Sequence, residues 1–188
     1  MYLAYPGTRS RRAMIGGGLA ALAGTAILPR PTSARRILSR GISGGGMVRI
    51  ESEGGPVLVY LSLFASALIL SEENTAFIGR LQWVEAGSGL VIDAPEITQC
   101  IATGTLPGQR EVRGFAKVNG GGRYPFVITV VDIGEPGSAT DTIELDVNGP
   151  AARSTGAEAT GPDFSYQATA TVAGGDFAVL SFDLDTPD

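Results

Sequence analysis

Most of this sequence alternates between apolar and polar residues with a period of two. Short runs rich in valine, isoleucine and threonine follow one another, and glycine, proline, asparagine or aspartate separates each run from the next. The period of an amphipathic helix is nearly absent. Such alternation is typical of β-strands, because successive side chains of a strand point to opposite faces. The pattern predicts an all-β fold.

The alternation defines about nine or ten candidate strands. They cover residues 47–51, 57–70, 76–85, 90–93, 96–103, 112–118, 124–133, 142–147, 164–172 and 178–184. Tight turns are expected at Asn119-Gly120 and at 174–176, because glycine and asparagine adopt positive φ. We expect a single antiparallel β-sandwich or partly closed barrel over residues 47–186.

Two segments of this pattern carry further expectations. Residues 57–70 are almost continuously apolar, which favours a long buried strand over a core helix and is too short to span a bilayer. In residues 142–147, Ile143 and Leu145 are expected inward and Asp146 in solvent. Residues 148–162 have mostly small side chains and are predicted to form a loop.

The first 50 residues have a different composition, with eight arginines and no carboxylate. The pair Arg11-Arg12 follows a serine and precedes a mildly apolar run of 16 residues, 13–28, which is shorter than the roughly 20 residues of a spanning helix. This segment resembles a twin-arginine translocation signal over residues 1–34, with cleavage between Ala34 and Arg35. An uncleaved membrane anchor is the alternative.

The resemblance implies export by the twin-arginine machinery to the cell envelope or beyond. Residues 35–46, rich in glycine and arginine, are then expected to form a flexible linker. The processed chain of 154 residues would have 10 basic and 19 acidic residues, a net charge of −9. Such a domain is not expected to bind nucleic acid or to keep a stable transmembrane span.

Composition also narrows the chemistry. The chain has no histidine, which excludes an imidazole-dependent catalytic triad and a histidine-ligated metal. Cys100 is the single cysteine, so it forms no disulfide within the chain and is expected to be a small buried thiol.

A family resemblance rests on the third quarter of the chain. The segments 114–120 (GFAKVNG), 124–132 (YPFVITVVD), 134–137 (GEPG) and 141–143 (DTI) follow one another in that order. They resemble the post-COAP domain, a small all-β module of exported bacterial proteins, and the likeness extends loosely over residues 44–179. It implies a sandwich-like exported module without a defined catalytic activity.

One group of carboxylates is a candidate metal site. Asp132, Glu135 and Asp141 bracket a turn and could offer oxygen ligands to Ca²⁺, although their spacing matches no established calcium loop. Turn carboxylates commonly accept hydrogen bonds from backbone amides instead. That interpretation is favoured, and no metal or cofactor is assigned.

The expected function is a non-catalytic exported module with a structural, adhesive or binding role. Two alternatives remain open at this point. A barrel interior could carry a small molecule or lipid, and a pair of carboxylates could hydrolyse a glycoside. The sequence singles out no catalytic residue for the second alternative.

Overall fold

The protein is a closed, eight-stranded antiparallel β-barrel, described by a computed structural model. The description covers residues 36–185 except 53, 105, 107 and 134–139. Each strand pairs with the next along the chain, and the last pairs with the first. The elements are β1 Arg36–Ser52, β2 Gly55–Ser71, β3 Asn74–Glu85, β4 Val91–Ala102, β5 Gln109–Val118, β6 Gly121–Val131, β7 Thr142–Val147, α1 Pro150–Arg153 and β8 Tyr166–Asp185. The prediction of an all-β antiparallel fold is confirmed.

The first strand corrects the predicted linker. Residues 36–46 belong to β1, so the prediction of a flexible segment over 35–46 is wrong there, and the barrel begins at residue 36 instead of 47. A run of glycines on its own suggests a flexible segment, but Gly44–Gly46 lie where β1 and β8 approach closely. A Cβ atom on Gly46 would lie 1.9 Å from the carbonyl oxygen of Gly174.

The last strand corrects the turn predicted at 174–176. β8 runs without interruption through these residues and pairs with β1 along its second half. A register shift between Met47 and Val48 takes up the irregularity opposite Gly174. The two strands predicted around residues 93–96 are likewise one strand, β4, so the count is eight instead of nine or ten.

Other strand predictions are confirmed. Residues 57–70 lie within β2, which removes the helix alternative, but the strand is not buried on both faces, because Tyr60 and Phe64 point outward and are 51% and 41% exposed. β7 spans the predicted residues 142–147. Asn119 and Gly120 have φ of 49° and 79°, as the hairpin between β5 and β6 requires.

The interior of the barrel is filled by side chains. Trp83, Phe126 and Phe177 are the largest of the fully buried residues, and aliphatic side chains from all eight strands pack around them. Cys100 belongs to this core, as expected, and its thiol donates to the carbonyl oxygen of Ala65 at 3.7 Å. Burial raises the pKa of this thiol, and the nearby Arg110 opposes the shift.

The ladder between β3 and β4 is short. It joins Leu81–Val84 to residues 91–94, and residues 74–80 of β3 pair only with β2 among the described residues. The next residue of β4 is Pro95, which has no N–H to donate. The barrel is therefore closed by few β3–β4 pairs. Ile97 of β4 approaches Gly79, but among the described residues the first half of β3 has no ladder partner on that side.

No helix among the described residues is long and apolar enough to cross a membrane.

Candidate functional site

The carboxylates considered for calcium hold backbone amides. Asp141 is 4% exposed, and its Oδ1 accepts from the N–H of Ile133 at 2.9 Å while its Oδ2 accepts from the N–H of Phe177 at 2.8 Å. Asp132 Oδ2 accepts from the N–H of Val179 at 3.1 Å. Asp132, just after β6, and Asp141, just before β7, thus bind the edge of β8.

The remaining predicted site residues are not described. Glu135 lies outside the described residues, as do Arg11, Arg12 and the Ala34–Arg35 cleavage position. In the described ranges, no group of three or more Cys, Asp or Glu side chains is placed to hold a metal ion.

Three clefts border the segment that joins β7 to β8, residues 148–165, which we call the β7–β8 connection. The largest has a volume of about 650 Å³, and two smaller ones have about 250 and 200 Å³. The large cleft is lined almost entirely by the connection itself: Asn148, Arg153, Gly156, Ala157, Glu158, Ala159, Gly161, Pro162 and Asp163. Long connections on a rigid barrel are where binding sites commonly occur.

Asp146 fixes the start of the connection. Its Oδ1 accepts from the N–H of Gly149 at 2.7 Å, and its Oδ2 accepts from the N–H of Ala151 at 3.1 Å and from Gln167 Nε2 at 2.8 Å. The expectation that Asp146 lies in solvent is therefore wrong, because α1 folds over the outer face of β7 and buries it. Pro150 opens α1 at a position where no N–H is needed.

Asn148 links the connection to its neighbours and orients Arg153. Its φ of 54° turns the chain out of β7. Its N–H donates to the carbonyl oxygen of Pro125 at 2.8 Å, and its side-chain Nδ2 donates to the carbonyl oxygen of Phe164 at 2.5 Å. Its Oδ1 accepts from Arg153 Nε at 3.2 Å, so the base of the arginine side chain is held.

β6 anchors the far end of the connection. The backbone groups of Arg123 and Thr160 exchange two hydrogen bonds, at 2.7 and 2.8 Å. The hydroxyl of Tyr124 donates to the carbonyl oxygen of Pro162 at 2.8 Å. Both ends of the large cleft are therefore attached to the barrel.

An aromatic cluster lies beneath the connection at the same end of the barrel. Phe164 contacts Tyr124 and Tyr166 at centroid distances of 5.5 and 6.5 Å, and Tyr166 meets the edge of Trp83 at 6.0 Å. The hydroxyl of Tyr166 donates to Glu85 Oε1 at 2.5 Å. Burial, together with this carboxylate, raises the pKa of Tyr166 and keeps the phenol protonated.

Arg153 gives the large cleft its positive charge. In the part of the chain that the structure describes, no carboxylate lies within 4.0 Å of its guanidinium. Arg113, which lies between the two smaller clefts, differs in this respect, since its Nε is 2.5 Å from Glu111 Oε1. Arg153 is thus oriented by a neutral amide and keeps its charge for a ligand.

The remaining polar groups of the large cleft define what it can bind. Glu158 and Asp163 lie in the lining as hydrogen-bond acceptors, beside small residues that leave the space open. A guanidinium recognises carboxylate or phosphate through paired N–H donors. The cleft can hold one anionic group and several donor groups of the same ligand.

No protein-family model, curated protein or solved structure matches this chain. The resemblance of residues 114–143 to post-COAP domains stays a prediction. The geometry of the cleft is accordingly the main guide to function.

The sequence did not reveal this site. Residues 148–162 were predicted as a loop, which is correct apart from the single turn of α1, but no residue in them was assigned a role. The pattern Asn148-Gly149-Pro150 is a helix-start signal that could have indicated an ordered segment. The attachment of Arg153 to Asn148 depends on that order.

Proposed function

We propose that this protein is an exported, non-catalytic binding module that holds its ligand in the large cleft of the β7–β8 connection. One observation carries the proposal. All three described clefts border that connection, and the largest contains an oriented arginine without a carboxylate partner. Structural or adhesive roles are compatible with this binding activity.

The carrier alternative has less support. A small-molecule or lipid carrier needs space inside the barrel, and the described interior is occupied by Trp83, Phe126, Phe177 and the aliphatic side chains around them. The described clefts border the surface connection instead. Binding at the connection therefore agrees better with the packing.

The hydrolase alternative also has less support. Glycoside hydrolysis needs two carboxylates that are accessible to one substrate. The buried carboxylates of the described residues, Asp141 and Asp146, already accept hydrogen bonds from backbone amides through both oxygens. Glu158 and Asp163 share the large cleft, but both are exposed, whereas the acid of a glycosidase needs a desolvated environment.

The ligand class follows from the charges. The acidic balance of the chain disfavours a polyanion, whereas Arg153 favours a single carboxylate. Glu158 and Asp163 favour hydroxyl or amino donors elsewhere on the ligand. A short peptide that ends in a free carboxylate has this combination.

The binding test uses pools of tetrapeptides with a free carboxyl terminus and the same pools with an amidated terminus. We expect the free acids to shift the backbone amide resonances of the β7–β8 connection, and Arg153→Ala to weaken their binding roughly 10- to 100-fold, the loss typical of a charge-assisted hydrogen bond. Isothermal titration measures the affinity.

The matched control is Lys117→Ala, which removes an exposed cation of β5 outside all three clefts. It should leave binding unchanged. Equal binding of free and amidated peptides, or an equal effect of both substitutions, would contradict the proposed site.

Export is tested separately. We expect Arg11→Lys with Arg12→Lys to leave the precursor in the cytoplasm, because the twin-arginine signal depends on the paired guanidinium groups. Cell fractionation followed by immunoblotting measures the distribution. Arg9→Lys is the control, and normal export of the double variant would refute this route.

A further inference from the structure

The first half of β3 has one open edge. Residues 74–80 pair with β2 on one side, and no described residue pairs with them on the other. The ladder with β4 ends at the pair Leu81–Ala94, and the next residue of β4 is Pro95, which has no N–H to donate. A strand edge of seven residues is therefore free to add a strand from another chain.

This edge lacks the usual protection against pairing. Its sequence, NTAFIGR, contains no lysine, proline or acidic residue. Ile78 is 43% exposed on the outer face, and Phe64, which lies opposite Arg80 on the neighbouring strand and diagonal to Ile78, is 41% exposed. The edge thus continues into an apolar surface.

The opposite edge of the same sheet is protected. β8 extends beyond its pairing with β7, and two N–H groups of that free portion, those of Phe177 and Val179, donate to Asp141 and Asp132. These carboxylates take the place of a partner strand. A filament built by adding β3 of one copy to β8 of the next is therefore disfavoured, whereas a closed two-fold pair of β3 edges is not.

We infer that two copies of this chain associate through antiparallel pairing of their β3 edges, centred on Phe77. In that register Ala76 lies opposite Ile78 of the second copy, so the outer face is apolar on both sides of the junction. This pairing is self-complementary, as a two-fold interface must be.

Charge favours the same register. The turn before β3 holds Glu72 and Glu73, and the segment ends at Arg80. Antiparallel pairing brings Arg80 of each copy beside the acidic turn of the other. Arg80 also pairs with Asp93 at 2.8 and 3.0 Å, but its side chain is 56% exposed and has room for a second acidic neighbour.

The expected complex is modest in strength. A single pair of seven-residue strands covers less than the roughly 1,600 Å² of a standard interface, so the dimer should dissociate on dilution, with a Kd in about the micromolar range. Sedimentation velocity of the full chain over a hundredfold range of concentration measures this. A protein that stays monomeric at the highest concentration overturns the inference.

Two sets of variants locate the interface. Ile78→Lys places a charge on the edge and should make the chain monomeric, whereas Val91→Lys, at a position 37% exposed on β4, should dimerise like the wild type. Glu73→Arg should weaken the dimer at least tenfold, and adding Arg80→Glu should restore it. Thermal melting verifies that each variant is folded. A dimer that persists in Ile78→Lys, or equal loss in both lysine variants, would place the contact elsewhere.

Discussion

Gly175→Ala is expected to lower the free energy of unfolding by about 3 kcal/mol or more. The new Cβ would lie 2.1 Å from the carbonyl oxygen of Gly45, so β1 and β8 would have to separate where they close the barrel. The φ of Gly175 is also +120°, which L residues rarely adopt. At roughly 2–4 °C per kcal/mol, the melting temperature should fall by about 6–12 °C or more.

The neighbouring residue supplies the control. In Gly174→Ala the nearest atom to the new Cβ is the Cε of Met47 at 3.5 Å, an ordinary contact with the end of a flexible side chain. We expect a change of less than about 1 kcal/mol. Urea unfolding followed by tryptophan fluorescence compares the two variants. Equal midpoints would contradict the close approach of β1 and β8.

Asp141→Ala should lower the free energy of unfolding by about 3 kcal/mol. The substitution removes an acceptor from two backbone N–H groups, those of Ile133 and Phe177, and hydrogen bonds to a charged group contribute about 1.5–3 kcal/mol each. Asp141→Asn keeps one carbonyl acceptor but presents an NH₂ group to the other donor. It should therefore have an intermediate stability in a thermal or urea titration.

Glu144→Ala is the matched control, because Glu144 is an exposed carboxylate in β7, three residues after Asp141. It should change the free energy of unfolding by less than about 0.5 kcal/mol.

Melting curves recorded with and without millimolar calcium test whether Asp132 and Asp141 bind this metal. Since Asp132 and Asp141 already accept from amides, we expect calcium to leave the midpoint unchanged, and a rise would revive a calcium site.

Local patterns predicted the regular strands. Residues 142–147 alternate strictly and end at turn residues, so period and punctuation agree, and β7 has the predicted bounds. Residues 57–70 form a strand because alternate side chains, such as Val59 and Leu63, pack into the barrel interior, and β-branched and aromatic residues favour extended backbone. In both segments the information needed lies within a few residues.

The misread segments depend on distant partners. Gly44–Gly46 and Gly174–Gly175 look like a linker and a turn when read alone. Gly46 and Gly175 are required because β8 passes close to the first and β1 passes close to the second, although the two residues lie some 130 positions apart in the chain. Glycine allows both a turn and a close strand contact, and only the pairing distinguishes the two.

The candidate site was unpredictable for a related reason. Arg153 is informative only because Asn148 holds its Nε and no described carboxylate neutralises it. Asp146, expected in solvent, is buried by a segment that it anchors itself. The sequence shows which charged side chains are present, but it does not show which of them already have a hydrogen-bond or ion-pair partner in the fold.

The pairing of the first strand with the last also governs the order of events during synthesis. β1 has β2 as a partner early, but its other edge waits for β8, whose last residue is Asp185. Chains are made at about 5–20 residues per second, so that edge stays open for several seconds after β1 leaves the ribosome. Contacts between such distant residues also make folding slow. The barrel therefore closes only after β8 has been released, and a chain truncated before β8 would expose the long edge of β1 to its neighbours.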